Sequence, residues 1–129
     1  MKNTILSLFI LVFIGCGFAP EPGMVPYGNL PMIDYAKQKT IEFFNVTPEY
    51  YEVLITDSLD RAMKACSGGV ACNAFGHIII HPDTDEYVCQ QLLHEMGHSA
   101  TYSLHQGWWK EFDPSYYSFI SESCRSFGS

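Results

Sequence analysis

The stretch EYVCQQLLHEMGHSATYSL, residues 86–104, decides the fold of this chain. Its residue pattern is that of one long helix. Pro82 ends the segment before it, and residues 83–85 (Asp-Thr-Asp) offer side chains that cap a helix N-terminus and negative charge in the first turn. Gly107 is the expected stop. We therefore predict a helix over residues 86–104.

The centre of this predicted helix carries the pattern HExxH, as His94-Glu95-Met96-Gly97-His98. Two histidines four positions apart lie on one helical face, about 6 Å apart along the axis, so both imidazoles can bind one tetrahedral zinc ion. Glu95 is rotated by about 100° from His94, where its carboxylate can accept a proton from a water that zinc activates. We predict that His94 and His98 hold zinc and that Glu95 is the catalytic base.

The HEMGH pentapeptide resembles the motif of the zincin metallopeptidases. The resemblance implies a minimal α+β domain with a small sheet, an active-site helix and a C-terminal helix. In that superfamily a strand precedes the HExxH helix and runs beside the substrate cleft, and FGHIIIH, residues 75–81, is expected to take that place. Asn73-Ala74-Phe75 is also similar to the segment before such a strand in the CAAX-prenyl-endopeptidase-like branch. The sequence shows no counterpart of that branch's membrane-embedded helices.

A catalytic zinc site needs a third protein ligand besides the two histidines. Glu122 lies 24 positions after His98 on a predicted helix, and it resembles the glutamate on a later helix that completes the site in gluzincins. The alternatives are Asp113, Glu111 and His105. On a continuous helix His105 would sit about 10 Å beyond His98, and the metzincin spacing HExxHxxGxxH is not met. We expect Glu122 to be the third metal ligand.

Other polar side chains are candidates for lesser roles around the metal. A developing oxyanion needs a hydrogen-bond donor, and the candidates by type and proximity in sequence are Tyr102, His105, Tyr116 and Tyr117. His77 and His81 share one face of a predicted strand, because strand side chains alternate. We expect these two histidines to be structural or to line a cleft rather than to bind the metal.

The N-terminus resembles an export signal. Lys2 gives a positive start, and residues 5–14 form an apolar run. That run is too short to span a bilayer of about 30 Å as a helix. Phe13-Ile14-Gly15-Cys16 resembles the lipobox of bacterial lipoproteins, in which the cysteine carries lipid. We expect Cys16 to anchor the protein to a membrane; simple secretion and a retained anchor are the alternatives.

The expected organisation has three parts. Residues 1–16 form the signal peptide, and residues 17–31, rich in Pro and Gly, form a tether between the anchor and the domain. Residues 32–129 form the single metallopeptidase domain. Its other predicted elements are a helix over 32–44, a strand over 50–56, a short helix over 58–65, a strand over 75–81 and a last helix from Pro114.

Charge excludes one class of partner, and the cysteines indicate a compartment. The formal net charge is −7 and the seven Lys and Arg residues are scattered, so nucleic-acid binding is not expected. Of the five cysteines, four remain if Cys16 carries lipid, an even number that suits an oxidising compartment. Two disulfides then have three possible pairings, and a bridge between Cys66 and Cys72 would close a local loop. Buried free thiols are the alternative.

The sequence therefore predicts an α+β zinc peptidase at the cell envelope that hydrolyses peptide bonds in a peptide or protein substrate. The alternative is a non-catalytic envelope lipoprotein that uses a zincin-like fold to bind another protein.

Overall fold

The computed structural model describes the backbone of residues 22–105 and 114–128, and the side chains of residues 22–101 and 114–128. Within these ranges the chain is α+β, with four α-helices and a four-stranded mixed sheet. The strands are β1 (Met24–Pro26), β2 (Glu52–Thr56), β3 (Cys72–Ala74) and β4 (His77–Ile80). The helices are α1 (Leu30–Phe44), α2 (Leu59–Ala65), α3 (Asp85–His105) and α4 (Pro114–Cys124), followed by a 3-10 turn over Arg125–Phe127.

The sheet has the order β1-β2-β4-β3. Strands β2 and β4 pair in parallel, whereas β1 with β2 and β3 with β4 pair antiparallel. The predicted strand over residues 75–81 is confirmed as β4, which begins two residues later at His77 and is an inner strand of the sheet. Because β4 is hydrogen-bonded on both sides, the strand at that edge of the sheet is β3, which the sequence analysis did not predict.

The other edge strand corrects the expected tether over residues 17–31. Residues 24–26 form β1, which pairs with β2, and α1 begins at Leu30. Pro26 is tolerated because an edge strand leaves one side of its backbone without ladder bonds. The Asn29 side chain caps α1 by accepting a hydrogen bond from the Met32 amide at 3.1 Å. The folded part of the chain therefore begins before residue 32, and residues 17–21 lie outside the described residues.

Helix α3 lies at the centre of the hydrophobic core. Leu92, Leu93 and Met96 are fully buried, and they belong to a cluster that also contains residues of α1, α4 and the sheet. The other members of that cluster are Met32, Ile33, Ala36, Val53, Ile78, Ile80, Val88, Cys89, Tyr116, Ile120 and Cys124. Removing this much apolar surface from water stabilises α3 far more than its intrinsic helix propensity does.

Two disulfides connect the described cysteines. Cys66 pairs with Cys72, which confirms the expected local bridge, and Cys89 of α3 pairs with Cys124 at the end of α4. The second bridge resolves the pairing that the sequence left open. Because Cys89 and Cys124 are both fully buried, it fixes the rotation of α4 against α3. Cys16 and the signal segment over 1–16 lie outside the described residues.

Whether a helix could span a membrane can be judged for the described residues, 22–105 and 114–128. Among the helices that the structure describes, none combines the length and the apolar character needed to cross a bilayer.

Candidate metal centre

Helix α3 brings His94 and His98 together at its surface. Between residues 91 and 100, these two side chains are the only ones that are not buried. Their Nε2 atoms lie 3.2 Å apart, with ring centroids 4.9 Å apart. Two nitrogens bound to one tetrahedral zinc at about 2.0–2.1 Å lie about 3.3 Å from each other. The imidazole pair therefore fits a single zinc ion.

Glu95 lies between the two histidines in sequence and is 5% exposed. Together with His94 it lines a cavity of about 360 Å³, whose other walls include Gln91 of α3 and Tyr117 and Ser121 of α4. Glu95 and His94 therefore border one cavity.

Asn73 fixes this turn of α3 to the β3–β4 hairpin. Its Nδ2 donates to the backbone carbonyl of Glu95 and to Oγ of Ser99, each at 2.7 Å. Its Oδ1 accepts a hydrogen bond from the Gly76 amide at 2.8 Å. One amide therefore holds the hairpin turn and the helical turn between the two histidines in a fixed relation. In the sequence Asn73 stands out only as part of the Asn-Ala-Phe likeness, which does not indicate this role.

Gln91 makes a second connection one turn earlier in α3. Its Oε1 accepts from the His81 amide at 3.0 Å, and its Nε2 donates to the His81 carbonyl at 3.1 Å. This buried pair of bonds attaches α3 to the residue that follows β4. The main-chain groups of His81 would otherwise lose water without a partner, which costs about 1–3 kcal/mol.

His77 and His81 each contact a partner outside the histidine pair. His77 Nδ1 lies 2.7 Å from Glu52 Oε2 on the neighbouring strand β2. His81 is buried, and its Nδ1 lies 2.7 Å from the carbonyl oxygen of Val70. Each ring therefore has a specific partner in the sheet region.

The structure does not bring Glu122 to the histidine pair. Its carboxylate forms an ion pair with Arg125 at 3.0 Å, and its side chain is 70% exposed. Helix α4 instead turns Tyr117, Ile120 and Ser121 toward the cavity of Glu95. The expected role of Glu122 therefore lacks geometric support, because the buried Cys124 disulfide fixes a rotation that points Glu122 outward.

No third ligand accompanies the pair among the described side chains. Within residues 22–101 and 114–128, no group of three or more His, Cys, Asp or Glu side chains is arranged to hold a metal ion. The alternative ligands Glu111 and Asp113, and the side chains of His105 and Tyr102, lie outside the described residues.

The two described tyrosine candidates for an oxyanion donor differ in position. Tyr116 is buried, and its hydroxyl donates to the Leu93 carbonyl. Burial raises the pKa of Tyr116 far above its usual value; a hydrogen bond with Thr40 opposes that rise, and the charge of Glu95 adds to it. The Tyr117 ring lies 5.9 Å from the His94 ring and is partly exposed. Tyr117 is therefore the better-placed donor.

A second, larger cavity, of about 750 Å³, lies beside His98. His98 and Ser99 line it from α3, and Asn73 and Phe75 line it from the hairpin. The two histidines therefore line different cavities, His94 the smaller one and His98 the larger one.

Comparison of the chain with models of known protein families, with curated proteins and with solved structures found no match.

Replacing Asn73 should weaken both the fold and metal binding. Asn73→Ala removes three partly buried hydrogen bonds, so we expect a loss of about 1–3 kcal/mol in the free energy of unfolding. We also expect at least tenfold weaker zinc binding, since the histidine turn loses its attachment. Urea denaturation and a competitive zinc titration measure the two effects.

Asn29→Ala is the matched control for this prediction. It removes the cap of α1, so it should cost about 1 kcal/mol of stability and leave the zinc affinity unchanged. Equal zinc affinities of the two variants would contradict a positioning role for Asn73.

Proposed function

We propose that this chain is a zinc-dependent peptidase with a minimal zincin-like α+β domain, in which His94 and His98 hold the metal and Glu95 is the general base. The observation that carries the proposal is the 3.2 Å separation of the two Nε2 atoms, which matches two ligands of one tetrahedral zinc. Glu95, which is buried and lines the same cavity as His94, and the second cavity lined by His98 support it.

The chemistry divides between the metal and the side chains of the chain. A bound zinc would polarise the carbonyl of a peptide and lower the pKa of water to about 7. The Glu95 carboxylate takes the proton of the attacking water and returns it to the nitrogen of the departing amine. The Tyr117 hydroxyl donates a hydrogen bond to the oxygen on which negative charge develops.

A third ligand completes this proposal. Glu122, which the family resemblance implies, can reach the pair only if its ion pair with Arg125 breaks and α4 turns. The exposed ion pair opposes this by only about 0–1 kcal/mol, but the buried disulfide of α4 holds the helix in place. The third ligand is identified by measuring the zinc content of four variants, since only the variant that lacks the ligand loses the metal. These variants are Glu122→Gln, Asp113→Asn, Glu111→Gln and His105→Ala.

We also propose that the protein acts at the cell envelope as an exported lipoprotein, attached to a membrane through lipid on Cys16. The two disulfides support an oxidising compartment. Simple secretion is the alternative. Mass spectrometry of the N-terminal fragment distinguishes them, because lipid on Cys16 adds the mass of acyl chains.

One observation favours a second candidate function. Among the described side chains, no third ligand stands beside the pair. A non-catalytic envelope lipoprotein that binds another protein does not need one. Glu95 opposes this alternative, since a binding module has no need of a buried carboxylate next to the two histidines. Activity assays of a Glu95 variant separate the two.

Glu95→Gln should keep zinc and lose hydrolysis. The ligands are untouched, whereas an amide cannot accept the proton, so we expect unchanged zinc content and a fall in kcat of at least about 10²-fold. A quenched fluorescent peptide pool gives the rate. Glu86→Gln, in the first turn of the same helix, is the control and should retain full activity. Activity of Glu95→Gln near that of the wild type would remove the base assignment.

Tyr117→Phe should lower kcat by about 10²-fold with little change in KM, because the hydroxyl acts only on the developing charge. Tyr87→Phe is the control, since Tyr87 lines the same cavity but its ring lies against His81 at 5.6 Å. Equal rates for both variants would rule out Tyr117 as the donor.

A further inference from the structure

The larger cavity has an aromatic rim at the tip of the β3–β4 hairpin. Phe75 and Tyr51 both line it, and their side chains are 75% and 81% exposed. Tyr51 is held in place, because its ring stacks on His77 at 5.5 Å and its amide donates to the Gly76 carbonyl at 2.8 Å. Exposed aromatic side chains at the mouth of a cavity favour contact with an apolar ligand.

Phe75 adopts a backbone conformation that is unfavourable for its residue type. The hairpin connects Ala74 and His77 by two residues, and both have positive φ, 53° at Phe75 and 91° at Gly76. Turns of this kind prefer Asn-Gly, whereas a bulky residue with positive φ is strained. Because Phe75 is also largely exposed, burial in the core does not explain its presence. Such strain is typical of sites with a function.

The charge of the lining indicates which ligand fits. Glu49 is the one carboxylate among the described lining residues, and neither Lys nor Arg is among them. An acidic side chain or an anionic lipid surface would therefore be repelled. The cavity is continuous with His98, so a peptide bound at the metal can place a side chain in it.

We propose that this cavity binds a bulky apolar side chain of the substrate, such as Phe or Leu, and thereby selects which peptides are cleaved. The inference rests on the proposed peptidase function, because the peptide is positioned by the metal beside His98. Phe75 and Tyr51 contact the apolar side chain at the rim, and Glu49 disfavours an acidic one.

Two matched blocked peptides, identical except for Phe or Asp at one central position, test this proposal. Their affinities are measured by calorimetry with zinc-loaded Glu95→Gln, which binds without cleaving. We expect the Phe peptide to bind at least about tenfold more tightly, since its side chain is largely removed from water. Equal affinities would overturn the proposal.

Phe75→Asn, made in the same Glu95→Gln background, separates a binding role from a structural one. It restores the preferred turn sequence, so Tm should stay the same or rise by a few degrees, while the preference for the Phe peptide falls to within about threefold. Val25→Asn is the control, because Val25 is an exposed apolar residue on the opposite edge strand and should leave the preference intact. A lower Tm with an intact preference would contradict a binding role for Phe75.

Further outcomes separate this proposal from the proposed peptidase function, and from contact of the rim with a membrane or with a second copy of the chain. Hydrolysis of both peptides by the wild type at equal rates and affinities would defeat the cavity proposal alone. Binding preference without any hydrolysis would defeat the peptidase and leave the cavity assignment standing. Two results with an unchanged peptide preference would overturn the proposal. If Phe75→Asn no longer binds vesicles of phosphatidylglycerol and phosphatidylcholine, the rim contacts a membrane. If Phe75→Asn no longer forms a dimer in sedimentation, the rim contacts a second copy of the chain.

Discussion

The burial of α3 on nearly its whole circumference is the constraint on which the rest of the structure depends. Leu92, Leu93 and Met96 are fully buried, so this turn of the helix cannot rotate without exposing apolar surface to water. The same rotation leaves His94 and His98 at the surface, with their Nε2 atoms 3.2 Å apart. The packing of the core therefore determines the geometry of the candidate metal centre.

Hydrogen bonds and a disulfide also hold α3 in position, in addition to the packing of the core. Asn73 of β3 bonds to the main-chain carbonyl of Glu95, and the side chain of Gln91 bonds to the main-chain groups of His81, just after β4. The Cys89–Cys124 disulfide attaches α4, which turns Tyr117 toward His94. Both amides therefore connect the part of α3 around His94 and His98 to the sheet, Gln91 through buried bonds and Asn73 through partly buried ones. A metal site benefits from this because its ligands are then held in place before the metal binds.

Local patterns made much of this predictable from the sequence. Helical periodicity and capping residues gave α1, α2, α3 and α4 to within a few residues, and the spacing of His94 and His98 gave their shared face. Strands β1 and β3 were missed because each has only three residues and neither shows a periodic pattern. The outward direction of Glu122 depends on a disulfide partner 35 residues away, and the contacts of Asn73 depend on residues 22 and 26 positions away. No local pattern contains such information.

The zinc K-edge X-ray absorption spectrum of the full chain loaded with one equivalent of zinc tests the central claim most directly. If His94 and His98 hold the zinc, the spectrum shows two imidazole ligands at about 2.0–2.1 Å and no sulfur ligand, and this signal is lost in His98→Ala. A chain that takes up no zinc, or one whose zinc spectrum is the same in His98→Ala, would contradict it.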